Sequence, residues 1–377
     1  MDKLDLKQLI NKIDMNNINI KLIESNVSYL INIYNKIKKI WISLNDSIEN
    51  RKIILETTEY RNIRNIIKRS ILLRYSVFND FIKNNRDLVC YEYNNIKLYT
   101  FYGNDIKDDL EKIVKMIKIT ICINKLYLEN DNISRIIIWI PIPKKRDFHY
   151  NEVNDENLYK SYNNFGAFTV SGLTFGDDPR ITIITRYEEI EKLLIHELVH
   201  NFYIDGSKYH NKLDSIIKKY EQVKNKNEDS IIRNYTYDYS IYESYAELTS
   251  TYLILLFNNI NERIDKLEDK LLSNIIIELI YSYNTIVNLA KLNKYKTWKD
   301  FIKNESFYGE ICIYEYYYIK GLMYNNYRFR ICNNYDDFKI LYNDIIKIMN
   351  NTKNDKLLID IFDNFVKQKN YKYMLLN

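Results

Sequence analysis

The spacing of apolar residues predicts helices along most of the chain, beginning with a long one near the N-terminus. Between Ile20 and Ile48 the apolar positions alternate steps of three and four, which is the a/d pattern of about four heptads. Such a stripe is either the buried edge of a helix in an intramolecular bundle, the commoner case, or a seam between two subunits. Helical spacing also recurs over residues 59–83, 105–126, 208–228, 264–289, 307–324, 335–349 and 357–366.

A few segments have the composition and alternation of β-strands instead. Residues 89–100 predict a hairpin that turns at Asn94 and Asn95. The apolar run 135–143 predicts a strand buried on both faces at the centre of a sheet, and residues 181–184 predict another strand. The predicted fold class is therefore α+β, predominantly helical, with a small mixed sheet. We expect an N-terminal mainly helical region, a central core and a C-terminal helical region over residues 1–130, 131–260 and 261–377.

The strongest chemical signal is the sequence H-E-x-x-H formed by His196, Glu197 and His200. On a helix, histidines at i and i+4 fall one turn apart on the same face, close enough to share a metal ion. The glutamate projects from nearly the same side, within reach of a water on that metal. The chain has only 4 histidines, so a chance pairing at this spacing is rare. The motif predicts a zinc hydrolase, in which the metal lowers the pKa of water and Glu197 takes the proton.

The residues before the motif place it inside a helix that follows a strand. Thr185 with Glu188 three positions later is a capping-box signature, which predicts that the helix starts there. The buried face of this helix would come from Ile190, Leu193, Leu194 and Leu198. The alternative interpretation, two surface histidines on an ordinary helix, is the less favoured one.

Two histidines leave zinc short of a protein ligand, so a third ligand must come from elsewhere in the chain. The position six residues past the second histidine, where the metzincin pattern has its third histidine, is Gly206. Asp205 and His210 are nearby alternatives that lack the expected spacing. The favoured candidate is Glu243, which shares one helical face with Glu247 at i+4. Glu247 would then hydrogen-bond a ligand histidine and fix its tautomer.

Glu243 also has a purely structural interpretation. Ser240 with Glu243 forms a second capping-box signature, so the carboxylate would cap its own helix. Because the zinc motif upstream lacks a third ligand, we favour the ligand interpretation.

These residues resemble the glutamate-type zincin metallopeptidases, in which H-E-x-x-H is followed by a glutamate ligand on a later helix. The E-x-x-A-E sequence from Glu243 to Glu247 resembles the third-ligand helix of the anthrax lethal factor type of protease domain. The stretch from Phe168 to Asn201 is similar to zinc metallopeptidases inferred in large DNA viruses. The resemblance covers residues 165–258, about a quarter of the chain.

The resemblance implies a zincin-like catalytic core with one zinc ion per chain. His196, His200 and Glu243 would be the metal ligands, and Glu197 would be the general base. Similar enzymes often place a tyrosine hydroxyl near the scissile carbonyl to stabilise the oxyanion, and Tyr237 is the candidate here. Zincins also bind substrate as an added strand on the sheet edge, a role that the glycine-flanked residues 167–173 would fill.

Composition narrows the classes of function. The net charge of +5 is spread without a long basic run, so a nucleic-acid partner is not expected. The 4 cysteines form no C-x-x-C unit, which indicates reduced, buried thiols. The N-terminus lacks the apolar region of a signal peptide, and no apolar run has the length of a membrane span. These features predict a cytoplasmic protein. The surplus of Ile, Asn and Lys, which have A/T-rich codons, fits a viral or parasite-like source, and a viral protein would be in the host cell cytoplasm.

The sequence is compatible with two functions of different classes, an enzyme and a binding scaffold. The favoured one is zinc-dependent hydrolysis of peptide bonds, with a polypeptide as substrate. The alternative is a catalytically silent zincin-fold scaffold that binds partners through the helical stripe of residues 20–48. An intact Glu197 favours the enzyme, because a purely structural zinc site has no use for a base. The sequence leaves the substrate, the cleavage preference and the oligomeric state open.

Overall fold

A computed structural model of the protein describes residues 9–44, 50–54, 57–69, 87–102, 110–127, 134–142, 172–174, 178, 180–186, 189–209, 212–213, 215–216, 240–292, 295–300, 314–351 and 355–365. The helices are α1 Ile20–Ser43, α2 Thr58–Arg69, α3 Leu110–Tyr127, α4 Ile190–Asn201, α5 Ser240–Asn258, α6 Ile264–Leu292, α7 Lys320–Asn326, α8 Tyr335–Asn351 and α9 Lys356–Asp363. The strands are β1 Asn50–Ile54, β2 Asp87–Tyr93, β3 Ile96–Tyr102, β4 Arg135–Ile142, β5 Gly172–Thr174 and β6 Ile181–Arg186. The predicted class, α+β and predominantly helical, is confirmed.

The strands form one mixed sheet in the order β1-β2-β3-β4-β6-β5. β2 and β3 are the predicted antiparallel hairpin, and Asn94 takes the positive φ of 51° that its turn requires. β4 pairs in parallel with both β3 and β6, and α3 lies in the connection that a parallel β3–β4 pair needs. β5 closes the order as an antiparallel neighbour of β6.

β4 is buried on both faces, as its continuous apolar run predicted. Ile138 and Ile140 belong to a core cluster that also includes Ile63 and Ile67 of α2. Trp139, whose side chain points to the opposite face of the strand, is 2% exposed. The central place of β4 in the sheet is therefore confirmed.

The N-terminal stripe is buried within the chain itself. Ile23, Val27, Leu30 and Tyr34 are at most 5% exposed, so this stripe is the edge of an intramolecular helix and not an open surface. The Tyr34 hydroxyl donates to the backbone oxygens of residues 260 and 262 at 2.9 and 2.8 Å. The helix ends at Ser43, earlier than the predicted stripe, and Ile48 lies outside the described residues.

The chain divides into two compact units. One comprises residues 36–202 and contains the sheet with α2, α3 and α4. The other comprises residues 1–35 and 203–377 and contains α5 to α9. These boundaries differ from those of the three predicted regions, and the division of the chain by function stays a prediction.

The C-terminal helices agree with their predicted positions. α6, α8 and α9 cover most of the residues predicted for them, whereas residues 307–313 and 217–228 lie outside the described part of the chain.

Within the described residues, none of the helices combines the length and the hydropathy needed to cross a bilayer. The cytoplasmic location stays a prediction.

Candidate metal centre

The motif lies within α4, the helix that follows β6, but this helix starts later than predicted. Thr185 is buried and belongs to the strand, so the capping box predicted at Thr185 and Glu188 is wrong. The helix begins at Ile190 after Glu189, which has a left-handed φ of 55° and makes no capping hydrogen bond with its side chain. The reason is tertiary: a β-branched residue buried beside the central strand extends the sheet instead of capping a helix.

The two histidines of α4 point their Nε2 atoms at each other. The distance between Nε2 of His196 and Nε2 of His200 is 3.2 Å, and the ring planes are inclined by 75°. Two nitrogens bound at a tetrahedral angle to one zinc ion would be about 3.3 Å apart, given Zn–N bonds of about 2.0–2.1 Å. The pair therefore has the separation that a shared metal ion requires.

A third ligand atom lies close to this pair. The ligand atoms of His196, His200 and Glu243 are all within 4.8 Å of one another, and the described residues contain no other group of three suited to a metal ion. Glu243 is in the first turn of α5, which begins at Ser240, and the capping role of Ser240 stays a prediction. Glu197 is 8% exposed and lies beside the first histidine of α4.

The remaining positions considered for the site are either placed in other surroundings or lie outside the described residues. Gly206 has a φ of +84°, and a Cβ there would be 2.5 Å from the Phe338 ring, so a larger residue at the metzincin position would be strained. Asp205 is buried, and its backbone oxygen accepts a hydrogen bond of 2.8 Å from Tyr342. His210, Tyr237 and residues 167–171 lie outside the described part of the chain.

The C-terminal end of α4 is tied to the sheet by a buried network. Asn201 accepts a hydrogen bond from Nη1 of Arg135 at 3.1 Å and donates to Oγ1 of Thr182 at 2.6 Å. The Arg135 guanidinium also lies 4.2 Å from the ring centroid of Phe202. Because this cation is at the negative end of the helix dipole, it stabilises α4 just after the second histidine. Sequence reasoning missed this network, although Asn201 directly follows the motif.

Helix α5 is held by a tyrosine hydroxyl that bonds backbone groups and by a buried ion pair. The Tyr245 hydroxyl donates to the backbone oxygen of Arg330 at 2.8 Å and accepts from the backbone N–H of Cys332 at 3.2 Å. Glu247 accepts a hydrogen bond of 3.2 Å from Nζ of Lys320, whose Nζ is 3.7 Å from Oε2 of Glu278. The predicted bond from Glu247 to a ligand histidine stays a prediction.

The two buried charges near Glu247, Lys320 and Glu278, were not singled out from the sequence. Each is a lone charge within an apolar or aromatic run, Ile-Glu-Leu-Ile for the glutamate and Tyr-Ile-Lys-Gly for the lysine. Charged residues are almost never fully buried unless they are paired, so such isolated charges in helical runs are a usable sequence signal. The signal shows that partners exist but does not say which charges pair.

The three cysteines that the structure describes take no part in the candidate centre. Cys90, Cys122 and Cys332 are free and buried, in agreement with the prediction, and Cys312 lies outside the described residues. Burial raises the pKa of the Cys90 and Cys332 thiols to about 11 and that of Cys122 to about 12. Thiols with such pKa values stay protonated near neutral pH and are poor metal ligands and nucleophiles.

Comparisons with models of known protein families, with curated proteins and with solved structures found no match. The chemistry of the site therefore rests on its own residues. Two imidazole nitrogens and one carboxylate oxygen form a donor set that catalytic zinc uses, and three protein ligands leave a fourth position open. The donor set fits zinc.

Proposed function

We propose that the protein is a zinc-dependent metallopeptidase with a zincin-like core, a glutamate third ligand and one zinc ion per chain. The observation that carries this proposal is the convergence of ligand atoms from His196, His200 and Glu243 within 4.8 Å. A structural zinc site is usually closed by four protein ligands, whereas the described residues offer three here. Zinc bound there would polarise a carbonyl and lower the pKa of water.

Glu197 has the role of general base in this proposal. It neighbours the ligand His196 along α4 and is nearly buried, so its carboxylate is shielded from bulk solvent. Glu197 would accept the proton of the attacking water and then deliver it to the leaving amine, which balances the hydrolysis of one peptide bond.

The sheet edge supports a polypeptide as substrate. β5 is last in the strand order and contacts α4, and within the described residues it pairs on one side only, with β6. An extended peptide binds to such an edge through main-chain hydrogen bonds. We propose that the substrate adds beside β5, which would present a peptide bond next to the motif helix.

The proposal is tested by Glu197→Gln with a peptide-library cleavage assay. We expect the variant to keep its zinc and to lose between about 100- and 10,000-fold in turnover, the range that a general base contributes. The matched control is Glu191→Gln, which removes a partly exposed carboxylate of the same helix that pairs with Lys115 at 3.4 Å. This control should cleave like the wild type.

Two results would count against the enzyme. Equal turnover in Glu197→Gln and wild type would exclude the proposed base. A zinc-loaded wild type that cleaves no library peptide would favour a catalytically silent scaffold, in which Glu197→Gln changes nothing measurable. Because the predicted binding stripe of α1 is buried, such a scaffold would bind its partners through another surface.

A further inference from the structure

Helix α7 places a lysine in the interior of the protein, between two carboxylates from other helices. Nζ of Lys320 is 3.2 Å from Oε1 of Glu247 on α5 and 3.7 Å from Oε2 of Glu278 on α6. The side chains of the lysine and of Glu278 are 0% exposed, and that of Glu247 is 3% exposed. We call these three residues the buried ionic cluster.

The backbone around the lysine is arranged for a close approach between helices. Gly321 follows Lys320, and a Cβ at this glycine would be 2.5 Å from ring carbons of Tyr283 on α6. A π-helix, Tyr314–Ile319, directly precedes α7, and such insertions are frequent at functional sites. The glycine lets α7 pack against α6 closely enough to present the lysine to both carboxylates.

The cluster is a poor device for stability alone. Removing charges from water costs several kcal/mol per ion, and well-packed apolar residues often serve a core as well or better. Charge-assisted hydrogen bonds, however, are stronger than neutral ones, and so restrict the orientation of the carboxylate that accepts them. Glu247 is the member of the cluster that shares a helix with the candidate ligand Glu243, about 6 Å further along the axis at 1.5 Å per residue.

We infer that Lys320 is a positioning residue for the candidate metal centre, an inference that rests on the proposed function. Its ammonium holds the carboxylate of Glu247 in one orientation on the buried face of α5. That orientation fixes the turn of helix that carries Glu243 and sets the hydrogen-bonding direction of Glu247 toward the ligand set. Glu278 contacts the lysine from α6 and acts only through it.

The inference is tested by a double-mutant cycle read out as zinc affinity, with a chromophoric chelator as competitor. Lys320→Met and Glu247→Gln should each weaken zinc binding by about tenfold, at the low end of the 10- to 100-fold loss typical when a partner of the ligand set is removed. The double variant should lose no more than either single variant, because both changes break the same interaction.

Control measurements distinguish a loss of zinc affinity caused by mispositioned side chains from one caused by lower stability. Lys270→Met removes a surface lysine that pairs with Glu262 and should leave zinc affinity unchanged. Unfolding by urea is measured in parallel on the chelator-treated proteins. A Lys320→Met variant that is less stable but binds zinc like the wild type would overturn the inference, and so would losses that add in the double variant.

If Lys320→Met does not fold, a second pair of variants tests the same inference. Glu247→Gln and Glu278→Gln are matched isosteric changes in the same cluster. We expect the first to weaken zinc binding and the second to weaken it less, since Lys320 keeps its bond to Glu247 in the second variant. Equal effects would overturn the inference. A wild type that binds zinc and cleaves peptides while these variants bind zinc normally would refute the inference alone, whereas a wild type without zinc would refute the proposed function as well.

Discussion

The two helices that carry the candidate ligands are anchored by different physical means. At the end of α4, Asn201 links a single cation, Arg135, to the hydroxyl of Thr182 on the sheet. On α5, Glu247 enters a cluster of three buried charges through Lys320. The first arrangement stabilises a helix end, whereas the second chiefly orients a side chain. We therefore expect substitutions at the α4 anchor to lower stability and substitutions at the α5 anchor to change metal affinity.

The largest loss of stability is expected at Gly206, in the segment after α4. A side chain there adopts a left-handed φ, which costs about 1–2 kcal/mol. Its Cβ also meets the Phe338 ring at 2.5 Å, and overpacking adds about 1–3 kcal/mol. Gly206→Ala should therefore lower the free energy of unfolding by about 3 kcal/mol in urea denaturation.

Gly321→Ala is the matched control for this prediction. Its Cβ would also be 2.5 Å from a ring, that of Tyr283, but the residue lies within α7. Alanine is favoured over glycine in a helix by about 1 kcal/mol, which offsets part of the overpacking. If Gly321→Ala costs as much as Gly206→Ala, the positive φ contributes nothing and the prediction is wrong.

An intermediate loss is expected at the α4 anchor. Asn201→Leu removes the acceptor of Arg135 and the donor to Thr182, and a hydrogen bond to a charged group contributes about 1.5–3 kcal/mol. We expect the free energy of unfolding to fall by about 2 kcal/mol. A variant with wild-type stability would show that the network does not hold the end of the helix.

The smallest loss of stability is expected when a hydrogen-bonding group is removed from α5. Tyr245→Phe removes the hydroxyl that bonds the backbone of Arg330 and Cys332, and it keeps the ring in place. The cost should be about 1 kcal/mol, the net value of a neutral hydrogen bond. A loss larger than that of Asn201→Leu would reverse the proposed difference between the two helices.

Local signals in the sequence predicted the elements that carry the candidate ligands. H-E-x-x-H and the i,i+4 pair Glu243 and Glu247 each lie within one helix, so spacing alone was enough to place them on a face. β4 was predictable because a strand buried on both faces is a continuous apolar run.

Features that depend on distant partners were missed or wrong. β1 consists of Asn50–Ile54, and only its pairing with β2, as in Ile53 opposite Val89, marks it as a strand. The helix start at Thr185 failed because sheet pairing outweighed a local capping signal. The pairing of Lys320 with Glu247 joins residues 73 positions apart, and no spacing rule reaches that far.

The central claim, a zinc site with a glutamate third ligand, is tested most directly by zinc content per chain. We would measure it by elemental mass spectrometry on wild type, Glu243→Ala and the control Glu268→Ala, an exposed glutamate of α6, all purified without chelator. We predict one zinc ion per chain in wild type and control, and a large loss in Glu243→Ala. No zinc in the wild type, or full zinc in Glu243→Ala, would contradict the account.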